Sequence, residues 1–130
     1  MDIRVRHVAR KDGSVWEKLR GDLWPDGMAD HAREIASFFA GTLEEPVAVL
    51  LSENANGEIL GFVELSIRLD VEGLEGKRTG YVEGLYVRPE FRQRGVARTL
   101  LLESRGWARQ QACTAFASDR TGRIVIDMKF

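Results

Sequence analysis

The pattern of apolar and polar positions divides the chain into nine predicted elements. Alternation and short apolar runs bounded by turn residues predict strands, and apolar residues recurring every three or four positions predict helices. The predicted elements are a strand over 3–8, a helix from a cap at Asp12 or Ser14 to Trp24, a helix over 30–40, strands over 46–51, 59–68 and 81–87, a helix over 94–110, and strands over 113–117 and 123–130. This order predicts a mixed α/β (α+β) fold, and we expect residues 1–130 to form a single domain.

Composition narrows the class of protein. The 130 residues are enough for one domain with its own core, and 44% hydrophobic with 30% charged residues is typical of globular proteins. A net charge of −1 argues against a partner bound through nucleic-acid phosphates. We see no apolar run long enough to span a membrane and no signal peptide, so we expect no membrane partner and a cytoplasmic protein.

The sequence does not indicate a catalytic role for the single cysteine or for the two histidines. Cys113 is the only cysteine, so the chain forms no internal disulfide, and its apolar neighbours predict a buried, inert thiol. His7 and His31 lie far from it in sequence, and we expect His31 on a helix surface. No cluster of residues has the spacing of metal ligands, so we expect no metal.

The most informative stretch runs from Tyr81 to Ala97. It reads as an apolar strand, a short loop with a proline, and a basic turn containing Gly95 that opens a helix. Backbone N–H groups at such a helix start, with the helix dipole behind them, suit a phosphate. Arg92, Arg94 and Arg98 add donors that match phosphate oxygens. The alternative is an ordinary basic helix end on a solvated face.

Arg92-x-x-Gly95-x-Ala97, placed after a strand and a proline, resembles the pyrophosphate loop of the GNAT acetyltransferases. That resemblance implies a mixed, mostly antiparallel central sheet flanked by helices, with acetyl-CoA as cosubstrate and no metal. Further matches lie at Leu23-Trp24-Pro25, Ser66-Ile67-Arg68, Val82-Glu83-Gly84-Leu85-Tyr86-Val87 and Phe116-Ala117-Ser118-Asp119. Over residues 1–119 these look like the aminoglycoside 6′-N-acetyltransferases. The implied activity is acetylation of the 6′-amino group of aminoglycosides, conferring antibiotic resistance.

The resemblance also implies residue roles. It implies coenzyme contacts by Leu85, Tyr86, Val87, Arg92, Gln93, Arg94, Gly95, Val96, Ala97 and Arg98. It implies that Trp24 packs against the aminoglycoside and that Glu83 and Asp119 hold its amines. Each has a plainer alternative: Trp24 as a core residue at a helix end, Glu83 as an ion-pair partner of Arg68, and Asp119 as a turn residue.

The chemistry of the expected substrate agrees with these roles. An aminoglycoside is a polycation, so its site needs carboxylates for ammonium groups and a flat apolar face for a sugar ring. The attacking 6′-amine must first lose a proton, and we expect Glu83 to accept it. A backbone N–H at Val87, where the strand is expected to part from its neighbour, can stabilise the oxyanion that forms.

The chain departs from the resemblance after Asp119. The family continues with a further helix, whereas here Arg123 to Phe130 follows as one predicted strand, so the C-terminal helix is apparently missing. We therefore expect an uncovered face around Phe116 and Cys113, and a replacement strand formed by a hairpin or by exchange between subunits. An exposed apolar edge favours a homodimer.

Two other functions remain open from sequence. One is a coenzyme A-binding protein of the same fold whose catalysis is impaired by the altered end. The other is acetylation of another small amine, such as a polyamine, or of a protein N-terminus.

Overall fold

The computed structural model describes residues 2–118 and 124–127, and all nine predicted elements are found there in the predicted order. The elements are β1 (Arg4–His7), α1 (Gly13–Leu23), α2 (Met28–Ala40), β2 (Ala48–Glu53), β3 (Ile59–Arg68), β4 (Thr79–Val87), α3 (Val96–Gln110), β5 (Ala115–Ser118) and β6 (Ile124–Asp127). Apart from the end of β6, the ends lie within two residues of the predicted ones, which is the normal uncertainty of element boundaries.

The strands form one six-stranded sheet in the order in which they occur along the chain. Every neighbouring pair is antiparallel except β4 and β5, which are parallel. The connection between these two strands is the helix α3, as parallel neighbours require. The predicted α/β fold with a mixed, mostly antiparallel sheet and flanking helices is therefore confirmed.

The parallel pair is joined over only part of β4. Thr79 to Val82 align with Ala115 to Ser118, and β4 then continues to Val87 without a partner on that side among the described residues. Within the described ranges, the second half of β4, from Glu83 to Val87, therefore presents an unpaired edge on that side. This edge borders the site described below.

Helices cover both faces of the sheet. The face beneath α3 carries one apolar cluster, which includes Leu65, Leu85, Val96, Leu100 and Trp107. The face beneath α1 and α2 carries a second cluster, made of Trp16, Leu19, Ile35, Val49, Leu51, Ile59 and Phe62. Both helices α2 and α3 are amphipathic, so burial of their apolar faces against the sheet is their main source of stability.

The predicted uncovered face around Phe116 and Cys113 is wrong. Phe116 is 3% exposed and Cys113 is fully buried, because both pack in the cluster beneath α3. The close approach of α3 is possible because residue 80 is glycine: a Cβ there would lie 2.7 Å from the Cβ of Ala108. The buried thiol agrees with the inert cysteine predicted from sequence, and burial also raises its pKa.

The C-terminal strand is formed by a hairpin. Ile124 to Asp127 pair antiparallel with Ala115 to Ser118 of the same chain, so the hairpin alternative is the one found. In the part of the chain that the structure describes, no helix is long and apolar enough to cross a membrane.

Candidate active site

A cleft lies beside the last residues of β4. It has a volume of about 710 Å³ and is bounded by the end of α1, the outer half of β4 and the start of α3. Its lining brings together eleven of the residues predicted from sequence: Trp24, Glu83, Leu85, Tyr86, Val87, Arg92, Gln93, Gly95, Val96, Ala97 and Arg98. Arg94 is exposed and is not part of the lining. Asp119 lies outside the described residues.

The backbone of β4 presents one edge to this cleft. The N–H of Arg88 donates to the carbonyl of Leu60 on β3 at 2.9 Å. Because neighbouring residues of a strand direct their backbone groups to opposite sides, the N–H and carbonyl of Val87 face away from β3. The Val87 carbonyl accepts a 2.8 Å hydrogen bond from Nε of Arg92, whose guanidinium also stacks on the Tyr86 ring at 5.4 Å. Arg92 thus fixes the end of the strand.

The start of α3 leaves backbone donors open to the same cleft. Gly95 precedes the helix with a φ of 86°, in the left-handed region, and Gln93 has a φ of 64°. The first-turn N–H groups of an α-helix have no acceptor within the helix itself. Here no side chain caps them either, because residue 95 is glycine. These N–H groups, the helix dipole and Arg98 lie at the lining of the cleft and suit an anion there.

A second cleft of about 330 Å³ adjoins the first. It is lined by Arg20, Trp24, Asp30, His31, Glu34, Glu45, Pro46, Glu64 and Glu83. Trp24 and Glu83 border both clefts, so they stand at the junction. Five carboxylates face two basic side chains in this lining, which makes the second cleft acidic. An acidic cleft beside an anion site suits a cationic molecule on one side and a phosphorylated one on the other.

Glu83 is paired with Arg68, as the plainer alternative predicted. Nε of Arg68 donates to Oε2 of Glu83 at 2.9 Å, and a second guanidinium nitrogen donates to Oε1 at 3.1 Å. The same guanidinium also reaches Glu45 at 3.1 Å and stacks on the Tyr81 ring at 4.8 Å. The hydrogen bonds that Arg68 donates to Glu83 raise the pKa of Arg68. The Glu83 side chain is nevertheless 22% exposed and borders both clefts, so the ion pair leaves it accessible to a bound cation.

Trp24 combines the core and cleft roles that the sequence left as alternatives. It ends α1, and its ring packs edge-on against Phe62 with centroids 6.4 Å apart. The rim of the indole lies directly over Gly84, where a Cβ would be 2.5 Å from ring atoms Cη2 and Cζ2. Only glycine at position 84 lets the indole lie across β4 in this way, so Trp24 forms the wall between the two clefts.

A buried ion pair behind this wall was not predicted from sequence. Glu64 is 1% exposed and accepts hydrogen bonds from Nε of Arg20 at 2.6 Å, from another Arg20 nitrogen at 3.2 Å and from Nε1 of Trp16 at 2.9 Å. Burial raises the pKa of Glu64. For Arg20, burial lowers the pKa, but this is outweighed by the hydrogen bonds that Arg20 donates to Glu64, so the net effect is a raised pKa. Because three N–H groups donate to the Glu64 carboxylate, we describe Glu64 and Arg20 as a charged pair.

His31 also departs from its predicted place. It is 3% exposed, not on the helix surface, and it contacts Arg20 and the backbone of Trp24. A signal for this was present in the sequence, because His31 precedes Ile35 by four positions and therefore shares the apolar face of α2. No group of residues that could hold a metal ion occurs within the described ranges.

Comparison with known proteins agrees with this geometry. Residues 14–124 match the model of the acetyltransferase (GNAT) family. The chain is 43% identical over 116 residues to an aminoglycoside N(6′)-acetyltransferase type 1 of Klebsiella aerogenes, covering 88% of this chain and 76% of that protein. It is 37% identical over 116 residues to the enzyme of the same name from Stenotrophomonas maltophilia, covering 88% of this chain and 73% of that protein.

Solved structures of similar enzymes share the fold. One is AAC(6′)-Iy in complex with a bisubstrate analogue, CoA-S-monomethyl-acetylneamine, with a TM-score of 0.82, 28% identity, and coverage of 94% of this chain and 82% of that one. Another is the aminoglycoside antibiotic 6′-N-acetyltransferase AAC(6′)-Ih from Acinetobacter baumannii, with a TM-score of 0.80, 30% identity, and coverage of 93% and 81%.

Proposed function

Because the chain belongs to the acetyltransferase (GNAT) family, we propose that it is an aminoglycoside 6′-N-acetyltransferase that uses acetyl-CoA and confers resistance to these antibiotics. The observation that carries the proposal is the meeting of two clefts of opposite electrostatic character at Trp24 and Glu83. The larger offers backbone donors to a phosphorylated molecule, and the smaller offers carboxylates to a polycation.

The donor half of the proposal rests on main-chain groups. The N–H groups at the start of α3, from Gly95 to Arg98, suit the pyrophosphate of the coenzyme, with Arg98 adding charge. The free edge of β4 at Leu85 to Val87 suits the amides of the pantetheine arm, which can pair with a strand edge as a further strand does. Arg92 holds the Val87 carbonyl and keeps this edge in place.

The acceptor half rests on charge and shape. Glu34, Glu45 and Glu83 line the smaller cleft, and carboxylates form strong hydrogen bonds with ammonium groups. The indole of Trp24 offers a flat face to a sugar ring and a π-system to a neighbouring cation. We propose that Asp119, which follows β5, adds a further carboxylate, as the family resemblance implies.

The chain's own groups supply the acid–base and electrostatic parts of the reaction. Acetyl-CoA, when bound, would supply the electrophilic thioester carbon. The free amine of the acceptor attacks this carbon, the carbon–sulfur bond then breaks with coenzyme A leaving as the thiolate, and the proton still to be lost by the nitrogen passes to that thiolate or to solvent. Glu83 takes the proton that the ammonium group must lose, directly or through water. The N–H of Val87, facing the open edge of β4, donates to the thioester oxygen as negative charge develops there. Arg68 shares the Glu83 carboxylate and holds it at the junction.

The experiment that tests the proposal is acetyl transfer by the purified 130-residue chain. With acetyl-CoA and kanamycin we expect release of coenzyme A and a product heavier by one acetyl group, measured by mass spectrometry. An aminoglycoside carrying a hydroxyl at the 6′ position is the matched control and is expected to give no product, because the attacking amine is absent.

Other results would overturn the proposal. A rise in melting temperature with acetyl-CoA but no turnover would show a coenzyme-binding protein without catalysis. Turnover on polyamines with none on aminoglycosides would show a different acceptor.

We further propose a homodimer and a cytoplasmic location. The sheet has two edges, and β6 occupies one of them, where a strand edge is available to a second copy. Acetyl-CoA is a metabolite of the cell interior, which agrees with a cytoplasmic enzyme. Light scattering of the purified chain is expected to give twice the mass of one chain; a monodisperse monomer would contradict the dimer.

A further inference from the structure

We propose that His31 is a positioning residue for the acceptor cleft, acting through the backbone of Trp24. The inference rests on the proposed function, since Trp24 is taken there as the face on which an aminoglycoside sugar packs. His31 lies against Trp24 and is 3% exposed. Both of its ring nitrogens form hydrogen bonds within the protein.

The two partners of the imidazole fix its hydrogen-bonding state. Nδ1 lies 3.2 Å from a terminal nitrogen of Arg20, and a guanidinium can only donate. Nε2 lies 3.0 Å from the carbonyl oxygen of Trp24, and a carbonyl can only accept. The ring therefore accepts at Nδ1 and donates its single N–H from Nε2. The two contacts are mutually consistent, and each depends on a different nitrogen.

Trp24 lies between the end of α1 and a short 3-10 turn over Pro25–Gly27. Its N–H donates to the carbonyl of Arg20 at 2.7 Å, as the last link of the helix. Its carbonyl lies at the change from one helix to the next, and Pro25, the next residue, has no N–H. His31 supplies the donor from α2. Residue 24 is thus held at both backbone groups, one from each helix.

The side chain of Trp24 is held from the same direction. The Arg20 guanidinium that donates to His31 also stacks on the Trp24 ring, with its central carbon 5.3 Å from the ring centroid. Arg20 in turn is anchored by the buried carboxylate of Glu64. The indole is therefore clamped between this cation and Gly84 of β4. Loss of the His31 bond frees the backbone on which this arrangement depends.

A matched pair of substitutions separates the two contacts of the ring. Glutamine at position 31 places an amide N–H near the former Nε2 and keeps a donor for the Trp24 carbonyl. Asparagine places its amide near the former Nδ1 and keeps a partner for Arg20 instead. Each variant loses one of the two hydrogen bonds, so their melting temperatures are expected to fall by similar amounts. A difference between the two variants in KM or in the Trp24 resonance therefore reports on the hydrogen bond to the Trp24 carbonyl.

We expect His31→Asn to raise KM for kanamycin about tenfold, and His31→Gln to change it less than about twofold, since one net hydrogen bond corresponds to about a factor of ten. KM for acetyl-CoA is expected to stay within about twofold in both, because its main contacts come from β4 and α3. Equal changes in the two variants, or no change in either, would overturn the inference.

A second readout does not need turnover. The chain has three tryptophans, so labelling with 5-fluorotryptophan gives three fluorine resonances, and Trp24→Phe identifies that of residue 24. We expect this resonance to shift or broaden in His31→Asn and to match wild type in His31→Gln. If wild type acetylates no aminoglycoside, the proposed function fails and these spectra alone decide on His31; a Trp24 resonance unmoved in both variants would reject its positioning role.

Discussion

Replacing Glu83 with glutamine is expected to lower kcat for aminoglycoside acetylation by about 10²- to 10⁴-fold, the usual contribution of a general base. Glutamine keeps the size of the side chain and one oxygen that accepts from Arg68, so the fold is expected to survive. What is lost is the group that accepts a proton at the junction of the two clefts. Steady-state kinetics with kanamycin at saturating acetyl-CoA measures the effect.

The matched control for this variant is Glu103→Gln on α3. Glu103 is exposed and lies outside the linings of both clefts, so its replacement removes the same charge from the chain without touching the site. We expect its kcat to equal that of wild type. A kcat for Glu83→Gln within about threefold of wild type would remove Glu83 as the base and leave it as the ion-pair partner of Arg68.

Replacing Arg20 with methionine is expected to lower the free energy of unfolding by about 3–5 kcal/mol, because it leaves the Glu64 carboxylate buried without a counter-charge. Methionine fills most of the space of the arginine stem, so the loss of packing is small. The variant also loses the donor to His31 and the cation that stacks on Trp24. Urea denaturation followed by circular dichroism measures the change.

The double variant Arg20→Met, Glu64→Gln identifies the cause. It removes both charges, so the penalty of an unpaired buried carboxylate disappears. We expect the double variant to be more stable than Arg20→Met alone, with a coupling energy of at least about 1 kcal/mol between the two sites. Additive losses would show that Arg20 stabilises the fold by packing alone and that the ion pair contributes nothing of its own.

The order of elements could be predicted because each leaves a local trace in the sequence. The alternation in β3, the Asn54 to Gly57 turn before it and the glycine turn before α3 are all short-range signals. The lining of the larger cleft could be predicted for the same reason: its residues lie almost entirely within one continuous stretch, from Glu83 to Arg98. Short-range sequence signals and one contiguous motif are therefore enough to predict which residues line the larger cleft.

The acceptor half could not be predicted in the same way, because its lining comes from four separated segments. Arg20 and Glu64 are 44 positions apart, and only the packing of α1 against β3 brings their charges together. His31 was expected at the surface since histidine is common there, although its spacing from Ile35 indicated otherwise. A polar residue on the apolar face of a helix signals a buried network, but not its partners.

The covering of Phe116 shows a different limit of sequence reasoning. The expectation of an exposed face came from the departure of the sequence from the family resemblance after Asp119. The structure shows that α3 covers Phe116, with Gly80 allowing the close approach of the helix. A departure from a sequence pattern at one point therefore does not predict which face of the sheet is exposed.

The meeting of the two clefts has a consequence for how such an enzyme can evolve. In the proposed site, the groups that recognise the donor belong largely to the backbone, and substitutions do not remove a backbone N–H unless they introduce proline. The proposed acceptor groups are side chains on α1, α2, the segment before β2, β3 and β4, which change one at a time. Selection by new antibiotics can therefore change the side chains of the acceptor cleft while the donor site stays the same. Activity on a new drug can then be gained without loss of acetyl-CoA binding.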